Sequence, residues 1–296
     1  MKPLFFSLSA AALVIPGVRA WGAVGHEAVG YVAMQFLAPK ALSFVQTSLG
    51  TQYNRTLGVA ATWADEIRSN SSYAWSSNLH FVDAEDNPPS SCSVNENRDC
   101  TNNFCVLSAI ANYTTRVVDT SLSAAQRQEA LKFLDHFIGD IGQPLHVEAD
   151  EAGGNGISVR CSGSSTNLHT VWDSSLINKL IAANYSNSAT TWANALVTRI
   201  KTGTYRTSAV GWISCSSTTT PALEGRAITP LACPLVWAKE SNALLCSYVY
   251  TYPSFSDLCT TSYYTGAVPI IETQIAKQGY RLAVWLNELF DGETGV

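Results

Sequence analysis

Along most of this chain apolar residues recur every three to four positions and seldom alternate. That spacing restricts the fold more than any other feature, because each amphipathic helix must bury its stripe against its neighbours. It predicts helices from about Val24 to Phe36, Pro39 to Leu49, Leu57 to Arg68, Val106 to Val118 and Ala124 to Ile141. Further helices are expected over Leu168 to Ala183, Thr190 to Thr202, Leu235 to Tyr250 and Val268 to Phe290. Pro39 suits a first helical turn, and Ser123 with Gln126 forms a capping box. Strand signals are short, at Leu79 to Asp83 and Ile157 to Arg160. Segments rich in Asn, Ser, Pro, Gly and Cys read as long loops: Asn87 to Asn103, Glu151 to Ser165 and Ser214 to Pro234. With no internal repeat and no long linker, the expected class is mainly α, one globular domain whose loops carry function.

The first twenty residues read as a secretory leader. Lys2 provides a basic start, Leu4 to Ile15 an apolar run, Pro16-Gly17 a break, and Val18-Arg-Ala20 a small-residue cleavage site. The apolar run is too short to span a bilayer as a helix. Removing the first 20 of the 296 residues leaves 276, starting at Trp21. Lys2 and Arg19 leave with the leader, so 16 basic residues remain against 23 acidic ones, a balance of −7. Such a surface repels phosphates, and composition alone argues against a nucleic-acid partner unless bound cations reverse the local field.

Eight cysteines, none in the leader and none in a Cys-x-x-Cys spacing, fit disulfides formed in an oxidising compartment rather than a thiolate metal site. Asn54, Asn70, Asn112 and Asn184 each open a glycosylation sequon, in keeping with export.

The five histidines are His26, His80, His136, His146 and His169. An isolated histidine is ordinarily structural, but two of these have an aspartate four residues on, His136 with Asp140 and His169 with Asp173. On a helix that spacing puts both side chains on one face, about 5–6 Å apart at Cβ, close enough to share a cation. His146 follows Asp140 across Ile-Gly-Gln-Pro, where Pro144 ends the helix and returns the chain. Imidazole and carboxylate donors without thiolates suit zinc in an open site, and several such groups suit more than one ion. After leader removal the α-amine of Trp21, with a reference pKa of about 7.7–8.0, is free to chelate together with its own carbonyl.

These residues lie in motifs that resemble the nuclease S1/P1 family of secreted zinc-dependent single-strand nucleases. The motifs run from Trp21-Gly-Ala-Val-Gly-His26 through Trp63-Ala-Asp65-Glu-Ile-Arg68 and Leu79-His-Phe-Val-Asp83-Ala-Glu-Asp-Asn-Pro-Pro89. They continue with His136-Phe-Ile-Gly-Asp140-Ile-Gly-Gln-Pro-Leu-His146, Gly153-Gly-Asn155, Asn167-Leu-His169-Thr-Val-Trp-Asp173 and the tail Gln274 to Trp285. The resemblance covers essentially the whole chain after the leader. It implies a mainly helical domain of the phospholipase C/P1 nuclease type over residues 21–296, with disulfide-tied loops and little β structure.

It also implies three Zn²⁺ ions. Asp65, His80, His136 and Asp140 would hold the first, and His146, His169 and Asp173 the second. The Trp21 amine and carbonyl, His26 and a bridging Asp140 would hold the third. Catalysis would draw on Asp65 to orient the attacking water and Arg68 to steady the phosphoryl charge. If Leu79 to Asp83 is extended, His80 faces the ions while Phe81 and Asp83 face away. Phe81 would stack on an unpaired base and Asp83 accept from its edge, with Ala152, Gly153 and Asn155 completing the pocket. Some members carry a second stacking aromatic in the following loop; Gly163-Ser-Ser-Thr166 stands there here, so no second stacking site is expected.

The family's two bridges would be Cys92–Cys246 and Cys100–Cys105. Four further cysteines allow three pairings; closing the loop with Cys215–Cys233 would leave Cys161 for Cys259. The implied protein is a secreted monomer, not membrane-bound, that cleaves single-stranded DNA and RNA at P–O3′, leaving 5′-phosphates, with 3′-nucleotidase activity on nucleotides. A secreted zinc phospholipase C shares fold and metals and is the nearest rival. A non-catalytic, zinc-stabilised binding glycoprotein is a more distant one.

Overall fold

In the computed structural model, residues 21–215 and 232–296 are described. The leader reading and the middle of the loop from Ser214 to Pro234 lie outside them. The periodic segments form helices α1 (Ala23–Met34), α2 (Pro39–Leu49), α3 (Leu57–Ala60), α4 (Trp63–Ile67), α5 (Val106–Val118) and α6 (Ala124–Asp140). They are followed by α7 (Leu176–Asn184), α8 (Ala189–Lys201), α9 (Arg206–Trp212), α10 (Ala232–Leu244) and α11 (Ser262–Phe290). The capping box at α6 is made: Ser123 Oγ accepts from Gln126 N–H while the Gln126 side chain accepts from Ser123 N–H at 3.0 Å.

Three departures from the expected elements have physical causes. The helix expected over Leu57 to Arg68 breaks between α3 and α4, and Thr62 between them bonds to Glu66 rather than capping, Oγ1 to Oε1 at 2.7 Å. Leu79 to Asp83 is not a strand: a 3₁₀ turn (Ala74–His80) runs through His80, and the chain becomes extended only at Phe81. Val82 N–H then donates to His146 O, and Ala149 N–H to Ala84 O, so the segment still pairs with the chain beyond α6. The long C-terminal helix begins at Ser262, ahead of the expected Val268, and accommodates Pro269 inside it. Among the described residues the only sheet is the hairpin β1 (Ser158–Cys161) with β2 (Ser164–Asn167).

The core gathers around α1, which packs on α11, α8 and α3, and around α6, which packs on α5. A Cβ on Gly30 would lie 2.6 Å from Gly58 N, so α1 and α3 touch backbone to backbone. Cys92 pairs with Cys246, Cys100 with Cys105, Cys161 with Cys259 and Cys215 with Cys233. The hairpin is thereby tied to the chain before α11, where Asp257 Oδ2 and Oδ1 accept from Gly163 N–H at 2.7 Å and Ser162 N–H at 2.9 Å. No described helix is long and apolar enough to cross a membrane.

Candidate metal centre

Seven elements deliver side chains to one interior point. His26 comes from the first turn of α1 and Asp65 from α4, while His80 ends the 3₁₀ turn. His136 and Asp140 close α6, whose last turn is wholly buried. Beyond it, Gln143 and Pro144 open a short 3₁₀ turn (Pro144–Val147) that turns His146 back inward. His169 and Asp173 straddle the junction of a helical turn (Leu168–Thr170) and a π turn (Val171–Ser175), a local distortion frequent at functional sites.

All five imidazoles are at most 4% exposed, and Asp140 and Asp173 are as deeply buried, far beyond what such groups tolerate unpaired. The distances define a continuous cluster. His26 Nε2 lies 3.2 Å from Asp140 Oδ1, and His80 Nδ1 lies 3.0 Å from Asp140 Oδ2. His136 Nε2 is 3.4 Å from Asp140 Oδ2 and 3.7 Å from Asp65 Oδ1. On the other side, His169 Nε2 is 2.9 Å from Asp173 Oδ2, and its ring centroid lies 5.1 Å from that of His146. Three groups bring ligand atoms within 4.8 Å of one another: His26, Asp65 and His136; His80, His136 and Asp140; His146, His169 and Asp173. The i, i+4 pairs anticipated from spacing both fall inside these groups. His26, expected to share an ion with Asp140, also approaches Asp65 and His136, and its ring stacks on His136 at 3.7 Å between centroids.

Burial, reinforced by the neighbouring rings, holds His26, His80 and His146 well below the ordinary imidazole value, and burial brings His136 down to about 3. These rings stay neutral, the form that ligates a metal. For His169, burial lowers the value but the Asp173 charge and hydrogen bond outweigh it, giving a net rise. Burial and the Asp65 charge raise Asp140. A cation reverses that last tendency, because it favours the ionised carboxylate.

Backbone carbonyls set the rings. His136 Nδ1–H donates to Ala61 O at 2.6 Å, His146 Nδ1–H to His80 O at 2.8 Å and His169 Nδ1–H to Gly153 O at 2.7 Å. Nε2 of His136 and of His146 is then left buried with no hydrogen-bond partner among the described residues, which is the geometry of metal-ligating histidine. This chain's donors therefore fit metal ions. Sequence reasoning missed Gln143, whose Nε2–H donates to Asp173 Oδ1 at 2.5 Å while its Oε1 accepts from Leu145 N–H at 2.6 Å. Its place as the one polar side chain between Asp140 and His146 was the available signal.

Arg68 is three residues past Asp65 and reaches back to it, Nη2 to Oδ1 at 3.2 Å, with its side chain mostly buried. Trp21 is fully buried, and Gly22 N–H donates to Asp173 O at 2.7 Å, so the start of the described chain lies against the segment that carries Asp173. Phe81 is half-buried and Asp83 exposed on the outward side of the His80 turn; partial burial, with the charges of Glu85 and Asp99, raises Asp83. Ala152 and Gly153 both have positive φ, 57° and 61°, and Asn155 Nδ2–H donates to Ala152 O at 2.8 Å, closing a tight loop over the His169 ring.

Comparison with known proteins agrees with this layout. The family model described as S1/P1 Nuclease matches residues 21–291. The chain is 45% identical to Nuclease PA3 of a Penicillium species over 278 residues, 92% of this chain and 99% of that one. It is 45% identical to Nuclease P1 of Penicillium citrinum over 281 residues, again 92% and 99%. To Nuclease S1 of Aspergillus oryzae it is 41% identical over 291 residues, 96% of this chain and 97% of that one.

Proposed function

We infer the reaction from lineage and site together: the chain belongs to the S1/P1 nuclease family, and it is a metal-dependent nuclease that hydrolyses single-stranded DNA and RNA. The observation that carries this is the convergence of all five histidines of the chain with Asp65, Asp140 and Asp173 on one buried cluster. Cleavage at P–O3′ leaves the phosphate on the 5′ end of the product, and removal of 3′-phosphates from nucleotides follows from the same chemistry.

The finer reading is three Zn²⁺, held by Asp65, His80, His136 and Asp140; by His146, His169 and Asp173; and by Trp21, His26 and Asp140. Support comes from the thiolate-free donor set, the three ligand groups, and a family match that begins at Trp21. When bound, the ions supply Lewis acidity and a water of lowered pKa, and they offset the chain's negative charge towards phosphate. Asp65 orients the attacking water. Arg68, held beside Asp65, donates to non-bridging phosphoryl oxygens as charge builds on them. Phe81 takes an unpaired base by stacking, worth about 1–3 kcal/mol, and Asp83 accepts from the base edge. Ala152, Gly153 and Asn155 form the rest of that pocket. A base within a duplex would first have to unstack, which accounts for the single-strand preference.

Export completes the reading: residues 1–20 are removed, and the protein acts outside the cell as a monomer. Four disulfides among the described residues support an oxidising compartment, and Asn54, Asn70, Asn112 and Asn184 are all exposed, as glycan acceptors must be. The test is zinc per chain by elemental analysis, run beside hydrolysis of single-stranded DNA, double-stranded DNA and phosphatidylcholine with and without chelator. Three zinc ions and chelator-sensitive cleavage of single strands are expected. Turnover confined to phosphatidylcholine would transfer the site to lipid chemistry, and zinc without turnover would leave a binding protein.

A further inference from the structure

A loop outside the ligand cluster presents an aromatic ring that the nuclease reading does not use. Cys100 and Cys105 close a short loop in which Asn102 and Asn103 adopt positive φ, and Phe104 stands 44% exposed at its end. The loop is firmly held. Val106 N–H donates to Phe81 O at 2.9 Å, and Glu85 N–H donates to Asp99 Oδ1 at 3.2 Å. The first of these bonds joins the residue two beyond Phe104 directly to the backbone of Phe81.

Phe104 thereby lines the same cavity as Phe81 and Asp83, a space of about 370 Å³ that also borders Asn78, Glu85 and Asn102. That volume is at the small end for ligand pockets, about 300–1,000 Å³. Its chemistry selects among the parts of a nucleotide. Two rings offer flat apolar faces, and the carboxylates of Asp83 and Glu85 accept N–H donors but repel phosphate; Arg98 also lines the space, with its guanidinium bonded to the Asp99 carboxylate and Ser93 O. A nucleobase satisfies these conditions and the strand's backbone does not. A ring held on a disulfide-closed loop also loses little freedom when a base lands on it.

We propose that Phe104 stacks an unpaired nucleobase of the substrate strand in the cavity it shares with Phe81 and Asp83, and so sets affinity for single strands. This rests on the reading that Phe81 and Asp83 receive a base. Gly163 to Thr166 brings no aromatic to the hairpin, so in this chain the added stacking surface comes from the other side of Phe81.

The experiment measures kcat and KM of the zinc-loaded enzyme on a short single-stranded oligonucleotide for wild type, Phe104→Ala, Phe104→Leu, Phe104→Trp and Phe81→Ala. Phe104→Leu keeps the bulk and removes the aromatic face. Both Phe104→Ala and Phe104→Leu are expected to raise KM by about 5–150-fold with kcat within twofold, and Phe104→Trp to restore KM. On an oligonucleotide of abasic sugars the ratio between wild type and Phe104→Ala should close towards one. A Phe104→Leu KM within twofold of wild type, while Phe81→Ala shifts it, overturns the proposal and leaves the Phe81 pocket standing. An unchanged KM in both removes the pocket as well. An equal loss on the abasic strand means Phe104 acts through the fold, which also overturns the proposal.

Discussion

Gly139→Ala tests whether the ligand cluster is as tightly set as its distances indicate. Gly139 lies on α6 one residue before Asp140, and its missing side chain leaves room for the His26 ring. A Cβ there would come 2.8 Å from His26 Nδ1 and 3.1 Å from Cε1, where ordinary contact begins at 3.4 Å. The ring must retreat by about half an ångström, yet its stacking partner His136 is only 3.7 Å away between centroids. His136 cannot give way freely, because its Nδ1–H is held by Ala61 O at 2.6 Å. The added methyl therefore either strains the stack or swings His26 away from Asp140. Overpacking of this kind costs about 1–3 kcal/mol of stability. In a chain of this size that lowers Tm by about 2–4 °C per kcal/mol. Misaligning a ligand should weaken metal retention by about 10–100-fold. The assay is metal content per chain after dialysis against graded chelator, paired with thermal unfolding of the metal-saturated protein. Gly211→Ala is the control: it lies in α9 with no atom of the described residues within 4 Å of the new Cβ, and should gain about 0.5–1 kcal/mol. If Gly139→Ala retains metal like wild type and unfolds within a degree of it, the ring is not confined and the reasoning fails.

Four other outcomes follow from the same structure. A chain that keeps one residue, such as methionine, before Trp21 should bind one zinc fewer and lose most activity; full activity and unchanged zinc content would remove the α-amine from the ligand set. Gln143→Ala frees Asp173 and should lower retention of the ion at His146, His169 and Asp173 by about 10–100-fold, read by chelator competition, whereas unaltered retention would make Gln143 a packing residue. Burial, with Asp86 adjacent, pushes the Glu148 carboxyl from 4.5 up to about 8, so the folded state keeps a proton that the unfolded chain releases across that window. Stability from this group is full below about pH 4.5 and declines as pH rises to 8. Glu148→Gln should therefore gain in Tm over wild type across that range, and a flat difference between pH 4 and 9 would count against it. Replacing Cys161 and Cys259 by serine opens a closure of 98 positions and should cost about 2–4 kcal/mol in denaturant unfolding, with a loss under 1 kcal/mol showing that the hairpin contacts of Asp257 suffice.

Much of the helical frame was legible because its signals are local. Pro39–Leu49 and Val106–Val118 fall where the apolar spacing puts them, and the Ser123/Gln126 box marks the start of α6. The 3₁₀ turn ending at His80 was not legible: Ala74–His80 has neither a regular apolar stripe nor a cap, and the tertiary bonds of Val82 and Ala84 impose its course. Nor was the π turn at Val171–Ser175, since i, i+4 spacing is satisfied on either side of it. Within the site, the pairs His136 with Asp140 and His169 with Asp173 could be read from residue type and interval, whereas Asp65 was reached only through the family resemblance. The partners that orient the rings could not be read, because Ala61, His80 and Gly153 act through carbonyl oxygens that every residue possesses. Phe104 likewise looked like one more loop residue until the disulfide and the bond to Phe81 set it beside the cavity.

The carbonyl of Gly153 has a wider consequence. It orients the His169 ring, and it belongs to the loop proposed as the wall of the base pocket, so the two tasks are mechanically one piece. A side chain at position 153 would meet Leu145 O at 2.6 Å in a backbone conformation that side-chain-bearing residues rarely adopt, which hinders the simplest way of reshaping that wall. Were a base to press on Ala152 to Asn155, the displacement would reach the His169 ring through the Gly153 carbonyl, and linkage would require the reverse effect to match it. The Phe81 side is tied in the same way, because His80 O orients the His146 ring and Val82 N–H donates to His146 O, so retuning such an enzyme for another nucleobase is left to side-chain exchange at Phe81 and Asp83.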